Sequence, residues 1–242
     1  MNKKEMTALA DNIRAEVRRA DTPANRMDMQ QFHKEKLKER YGLRAPIMRK
    51  ISNDYFKQIK HLSKKEILDF CDFLLATDFR YRRFIAFEWS GKLHRQFAKN
   101  DFARFESWLK KHVDNWGSHD HLAQTFGYLL YDYPELLPRV KKFATSKNMW
   151  LRRMSAVALI YPVRKGKYLD DVFATADILL RDDEDMVQKG YGWMLKVAGD
   201  VFPDEVFAYV MRNKKEMPRT ALRYAIEKYP PNMRKEAMKK DW

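Results

Sequence analysis

The arrangement in this sequence that could do chemistry is a single carboxylate set in a row of cations. Five stretches from about residue 65 onward look alike, and their second halves read RYRRFIAFEW, WGSHDHLAQTFGYLL, WLRRMSAVALI, MVQKGYGWML and PRTALRYAI. Aligned, they place Arg83, Asp120, Arg153, Lys189 and Thr220 at one shared position, with Arg80, Arg82, Arg152 and Arg219 close by. A row of cations suits a polyanion, and phosphate contacts supply most of the affinity of proteins for DNA. The dipole at a helix start disfavours cations, so their repetition at that place argues for a ligand. Asp120 is the exception, because a carboxylate facing phosphates repels them and needs a reason to be there. Trp116 stands four residues before Asp120, and Trp193 four residues after Lys189, each on the same helical face as its partner. An acid between aromatic walls and cations can stabilise a positive charge that develops beside a nucleic-acid backbone. The plainer alternative is a helix-start acid with two core tryptophans. The coincidence at equivalent repeat positions favours the site.

These residues need elements that hold them in line. No Asn-Gly, Asp-Gly or Gly-Gly pair signals a tight hairpin, and no segment keeps up a period-two alternation. Pro46, Pro134, Pro203 and Pro218 stand where helices can begin, since the missing proline N–H would be unpaired in a first turn anyway. Leu122, Phe126, Leu129 and Leu130 fall on one helical stripe, as do Met154, Val157, Leu159 and Ile160. The shared position recurs at intervals of 37, 33, 36 and 31 residues, a period in the thirties that signals stacked helix pairs. The tetratricopeptide pattern W-x-x-L-G-x-x-Y is absent, which leaves a HEAT-like reading. The expected fold is an all-α superhelix, a solenoid with a concave basic face. It forms one domain over residues 1–242, with capping helices over about 1–62 and five helix-pair repeats over about 63–242.

Composition narrows the partner and the compartment. The 242 residues carry 48 Lys and Arg against 33 acids, a formal charge of +15 that favours nucleic acid. No apolar run approaches the roughly 20 residues of a membrane span, and the first residues lack the apolar core of a secretion signal. The lone Cys71, inside ILDFCDFLL, reads as a buried structural residue. The expected location is therefore the cytoplasm, on the nucleoid when bound to DNA. His119-Asp120-His121 does not make a metal site, because side chains two apart on a helix diverge by roughly 200°. No metal is expected.

Three motifs in order resemble the AlkD family of DNA alkylation repair glycosylases. They are Trp116-Gly117-Ser118-His119-Asp120, Asn148-Met149-Trp150-Leu151-Arg152-Arg153 and Gln188-Lys189-Gly190-Tyr191-Gly192-Trp193. The resemblance is strongest from about Ser107 to Ala198. It implies Asp120 as the catalytic carboxylate, with Trp116 and Trp193 lining the site. It implies Arg153 on a nearby phosphate, with Lys189, Arg152 and Arg83 as further DNA contacts. Two positions depart from the family pattern: Gly117 replaces the usual acid, and His119 stands where an apolar residue is common. The implied reaction is hydrolysis of the N-glycosidic bond of cationic alkylated purines, 3-methyladenine and 7-methylguanine, in duplex DNA. It needs no cofactor, and no lysine nucleophile for strand cleavage stands beside Asp120. A monomer is expected. The rival from another class is a non-catalytic HEAT-like module that binds DNA or protein.

Overall fold

The computed structural model describes residues 1–32 and 41–240. Two compact units divide the chain, Met1–Leu93 and His94–Trp242. The first holds α1 (Lys3–Ala20), a ribbon of β1 (Arg26–Asp28) and β2 (Tyr41–Leu43), then α2 (Ala45–Ile59), α3 (Lys64–Leu75) and α4 (Arg82–Lys92). Asn2 with Glu5 and Ser63 with Glu66 form capping boxes that start α1 and α3, and Pro46 sits in the first turn of α2. The ribbon pairs Arg26 with Leu43 and Asp28 with Tyr41, antiparallel. It lay outside the helices expected from sequence, because strands of three residues are too short for a period of two to register. Trp89 on α4 anchors this unit's core. Its indole N–H donates to the Oγ and carbonyl of Ser52 on α2, at 2.9 and 3.1 Å, and its ring packs on Phe70 of α3.

The second unit runs through α5 (Asp101–His112), α6 (Trp116–Asp132), α7 (Leu137–Lys141), α8 (Met149–Val157) and α9 (Ile160–Arg164). It continues with α10 (Leu169–Leu179), α11 (Asp185–Gly199), α12 (Pro203–Asn213), α13 (Arg219–Ala225) and α14 (Pro231–Met238). The expected stripes are its core: Leu122, Phe126, Leu129, Leu130, Met154 and Leu159 are inaccessible to solvent. α6 packs on α5, α8 and α9, and α11 packs on α8, α10 and α13. The stretch read as one helix through Ile160 stops at Val157 and restarts as α9. Pro162 explains the break, since its ring would collide with the carbonyl of residue 158, four back, in a continuous helix. That part of the chain then lies against α6, where a Cβ on Gly127 would come within 2.8 Å of Tyr161 and 3.3 Å of the Ala158 carbonyl.

The repeat period is visible as hydrogen bonds. Tyr133 Oη donates to the Phe97 carbonyl across 36 residues, Tyr168 Oη to the Leu130 carbonyl across 38, and Tyr209 Oη to Asp177 across 32. Lys141 pairs with Asp171 across 30. Each bond ties one helix pair to the next, as stacked units that cannot bury a face alone require. The described residues are all-α apart from the ribbon, with the helical repeats expected from the sequence.

Candidate active site

The second helices of the repeats start from fixed points. Asn115 caps α6 by accepting the Ser118 N–H at 2.9 Å, and Asn148 caps α8 by accepting the Trp150 N–H at 2.8 Å. Before α11, Asp182 accepts the Glu184 N–H, and its carbonyl accepts the Gln188 amide. Counted from these starts, Asp120, Arg153 and Lys189 are each the fifth residue of their helix. The shared position of the alignment is thus a structural one for these three, whereas Thr220 and Arg83 are each the second residue of α13 and α4.

Adjacent rungs of that row meet directly. Arg153 Nη2 donates to both oxygens of Asp120 at 3.0 Å, and Arg153 Nε to Oδ1 at 3.2 Å. Arg153 Nη1 donates to the Met186 carbonyl of α11 at 2.6 Å. The arginine is buried, at 5% exposure, and passes close to α11 because residue 190 is glycine: a Cβ there would lie 3.0 Å from Arg153 Cγ. On the other side, His119 Nδ1 lies 2.8 Å from Asp120 Oδ1 and His119 Nε2 3.2 Å from the Trp150 carbonyl, with the imidazole tilted against the Trp150 indole. An ionised carboxylate accepts only, so Nδ1 carries the proton it donates.

The two oxygens of Asp120 are therefore unequal. Oδ1 takes His119 Nδ1, Arg153 Nε and Arg153 Nη2, whereas Oδ2 takes Arg153 Nη2 alone. The side chain is 24% exposed, and Oδ2, with a single donor among the described residues, has lone-pair capacity for a further partner. Burial pushes the Asp120 carboxyl up, but the His119 hydrogen bond and the Arg153 charge outweigh it and hold the group below the usual carboxylate range. Burial pushes the His119 imidazole down, and Arg153 adds to this against the pull of Asp120.

The other expected residues are placed as follows. Trp116 opens α6 one turn before Asp120 and is exposed. Trp193 is half-buried on α11, one turn beyond Lys189, whose Nζ pairs with Asp185 at 2.8 Å. Arg152 turns away from Asp120. It clasps Asp182 through Nε and Nη2, at 2.5 and 3.2 Å, and donates from Nη1 to the carbonyls of Ser146 and Lys147. Arg83 is half-buried on α4, in the first unit. Three participants were missed in the sequence: His119 as a partner of Asp120, the Met186 carbonyl, and Gly190 as the space for Arg153. The signal for His119 was its place on the buried stripe three residues before Leu122, where a polar ring must find partners.

The family model described as "DNA alkylation repair enzyme" matches residues 13–229. Among solved structures, a predicted DNA alkylation repair enzyme from Enterococcus faecalis superposes with a TM-score of 0.69 at 18% identity, covering 78% of this chain and 88% of that one. AlkD2 from Streptococcus mutans superposes at 0.57 with 20% identity, over 74% of this chain and 88% of its own. The smu.31 structure from Streptococcus mutans UA159 does so at 0.57 with 19% identity, over 75% and 92%. Curated proteins provide no match. At such identities the structures speak for the fold, and the family model, spanning most of the sequence, places the chain in the DNA alkylation repair enzyme family.

Proposed function

We propose that this protein is a monofunctional DNA glycosylase that removes cationic alkylated purines, such as 3-methyladenine and 7-methylguanine, from duplex DNA. The observation that carries the reading is the state of Asp120: ionised, held by a buried guanidinium, and with one oxygen taken by a single donor. A purine alkylated at N3 or N7 already carries positive charge and leaves as a neutral base, so no acid need protonate it. The barrier lies in the oxocarbenium-like sugar and the attack of water, as in other glycoside hydrolyses. Asp120 Oδ2 stabilises the sugar cation and orients the water toward C1′. DNA phosphates would raise the carboxyl's pKa, and Arg153 opposes that by keeping a positive charge against it.

Trp116 and Trp193 pack against the deoxyribose, their ring faces favouring the growing charge. Lys189 and Arg83 meet phosphates, and Arg152 adds charge from its brace. Arg153 reaches a phosphate with the Nη1 hydrogen left after the Met186 carbonyl is served. The protein works as a monomer and without a cofactor, in the cytoplasm where the DNA is. No helix among the described residues is long and apolar enough to cross a membrane.

The test is release of free 7-methylguanine from a methylated duplex by the pure protein. Asp120→Asn is expected to lose release by about 100-fold or more while DNA affinity holds. Absence of release by wild-type protein from several cationic lesions over long incubation overturns the reading and leaves a binding module.

A further inference from the structure

Among the described residues, His119 makes a hydrogen bond to Asp120 that the reaction above does not use. Its ring is inaccessible to solvent, so it exchanges no proton with substrate or water at the reacting centre. It nonetheless donates from Nδ1 to a carboxylate oxygen on its own helix, its Nε2 lies 3.2 Å from the Trp150 carbonyl at the start of α8, and it leans on the Trp150 indole with ring centroids 5.7 Å apart. The Trp150 backbone is itself held, because its main-chain N–H donates to the Asn148 cap. The imidazole thus connects Asp120 to a fixed point on the neighbouring helix.

Arg153 separates the two carboxylate oxygens only weakly, since its Nη2 reaches both at the same 3.0 Å and its Nε adds a longer contact of 3.2 Å to Oδ1. The His119 contact is made to the same Oδ1, at a shorter 2.8 Å, and deepens that asymmetry. We propose, on the glycosylase reading, that His119 is a positioning residue: its Nδ1–H, together with Arg153 Nε, pins Oδ1 of Asp120 and so leaves Oδ2 to the sugar cation and the water.

The same geometry makes the device sensitive to acid. In the neutral ring, the Nε2 lone pair faces the Trp150 carbonyl. Protonation turns that contact into a hydrogen bond, but it also sets a second full cation against Oδ1. The charged groups that act on the ring are Asp120 from α6 and Arg153 from α8. With both His119 and Arg153 charged, the carboxylate offers less to a developing sugar cation, and the rate falls.

The experiment compares wild type, His119→Val and His119→Asn in single-turnover release of 7-methylguanine from methylated duplex, from about pH 5 to about pH 8. DNA affinity and thermal melting are measured beside it. The amide nitrogen of an asparagine lies near the place of histidine Nδ1 and donates without titrating. His119→Val is expected to lose about tenfold or more in rate with affinity unchanged, the worth of one hydrogen bond to a charged group. His119→Asn is expected to stay within about threefold of wild type and to lose the acid limb of the profile. In an NMR titration, the Asp120 carboxyl is expected to move up in His119→Val and to stay near its wild-type position in His119→Asn. A folded His119→Val as fast as wild type overturns the inference, as does a folded His119→Asn as slow as His119→Val. Wild-type protein that releases no base overturns the glycosylase reading itself.

Discussion

Arg152 and Arg153 are neighbours in the chain, yet they join α8 to two different regions. Arg153 reaches α6 and meets Asp120. Arg152, about 100° further round the helix, reaches the connection before α11 and meets Asp182. Both make a two-toothed contact with a carboxylate about one repeat away, across 33 and 30 residues. The difference lies in what remains open. Asp182 is shut in at 8% exposure, with both oxygens taken by Arg152 and the Glu184 N–H, and Arg152 also closes on two carbonyls. Asp120 keeps an oxygen with one donor and a quarter of its side chain in solvent. An arginine fork therefore identifies neither a brace nor a site. The open acceptor on the partner does.

That contrast can be broken most severely at Arg153. Arg153→Ala leaves a mostly buried carboxylate without its cation and is expected to cost about 3–5 kcal/mol, read as a lower urea midpoint, with base release lost as well. Arg153→Lys keeps the charge without the fork and should recover part of the stability and less of the rate. Arg152→Ala removes the fork to Asp182 and is expected to cost about 1.5–3 kcal/mol, while single-turnover release by the folded fraction at saturating DNA stays within about threefold. An Arg152→Ala protein that folds well but has lost its turnover would erase the distinction between the two arginines.

Acid provides a smaller and graded perturbation. His119 and Asp120 both titrate lower in the folded protein than in the unfolded chain, so unfolded protein binds more protons as pH falls. The stability they contribute is complete above the ordinary imidazole value of 6.5. It falls below that through His119, and again below the ordinary carboxyl value of 3.8 through Asp120. Urea midpoints against pH should show the first decline in wild type and a flatter curve in His119→Asn. The smallest effect is expected at Arg181→Ala. It removes a fork to Glu216 of similar repeat spacing but with the arginine side chain 76% exposed, and the melting temperature should not move.

The parts of this molecule legible in its sequence are those that repeat. Leu122, Phe126, Leu129 and Leu130 announce a buried face because burial on a helix has a period. Pro46, Pro203 and Pro218 announce helix starts because a missing N–H is tolerated there and in few other places. The spacing of Asp120, Arg153 and Lys189 announces stacked second helices. What was not legible depends on which rung leans on which. The row reads as a line of side chains facing a ligand, and a line does not say that opposite charges on adjacent rungs close on each other. His119 stands beside Asp120 in sequence, where helical neighbours do not ordinarily face one another. Their contact exists because both side chains lean toward α8. The break at Pro162 needs a third dimension in the same way, since it is the approach of Tyr161 to Gly127 that makes use of it.

The fifth-residue placement of Asp120, Arg153 and Lys189 has a consequence for how such a protein changes over time. Each side chain has an address, counted from a fixed helix start, rather than a purpose-built cavity. Connections between repeats can lengthen or shorten, as the uneven intervals in this chain record, without moving the charge, so long as the helix start stays fixed. A single residue gained between Asn148 and Arg153 would instead swing the arginine by about 100° and leave Asp120 facing the wrong side chain. In α6, α8 and α11 of this chain, insertions are therefore expected to be tolerated in the turns and hardly at all in the first five residues of the helix.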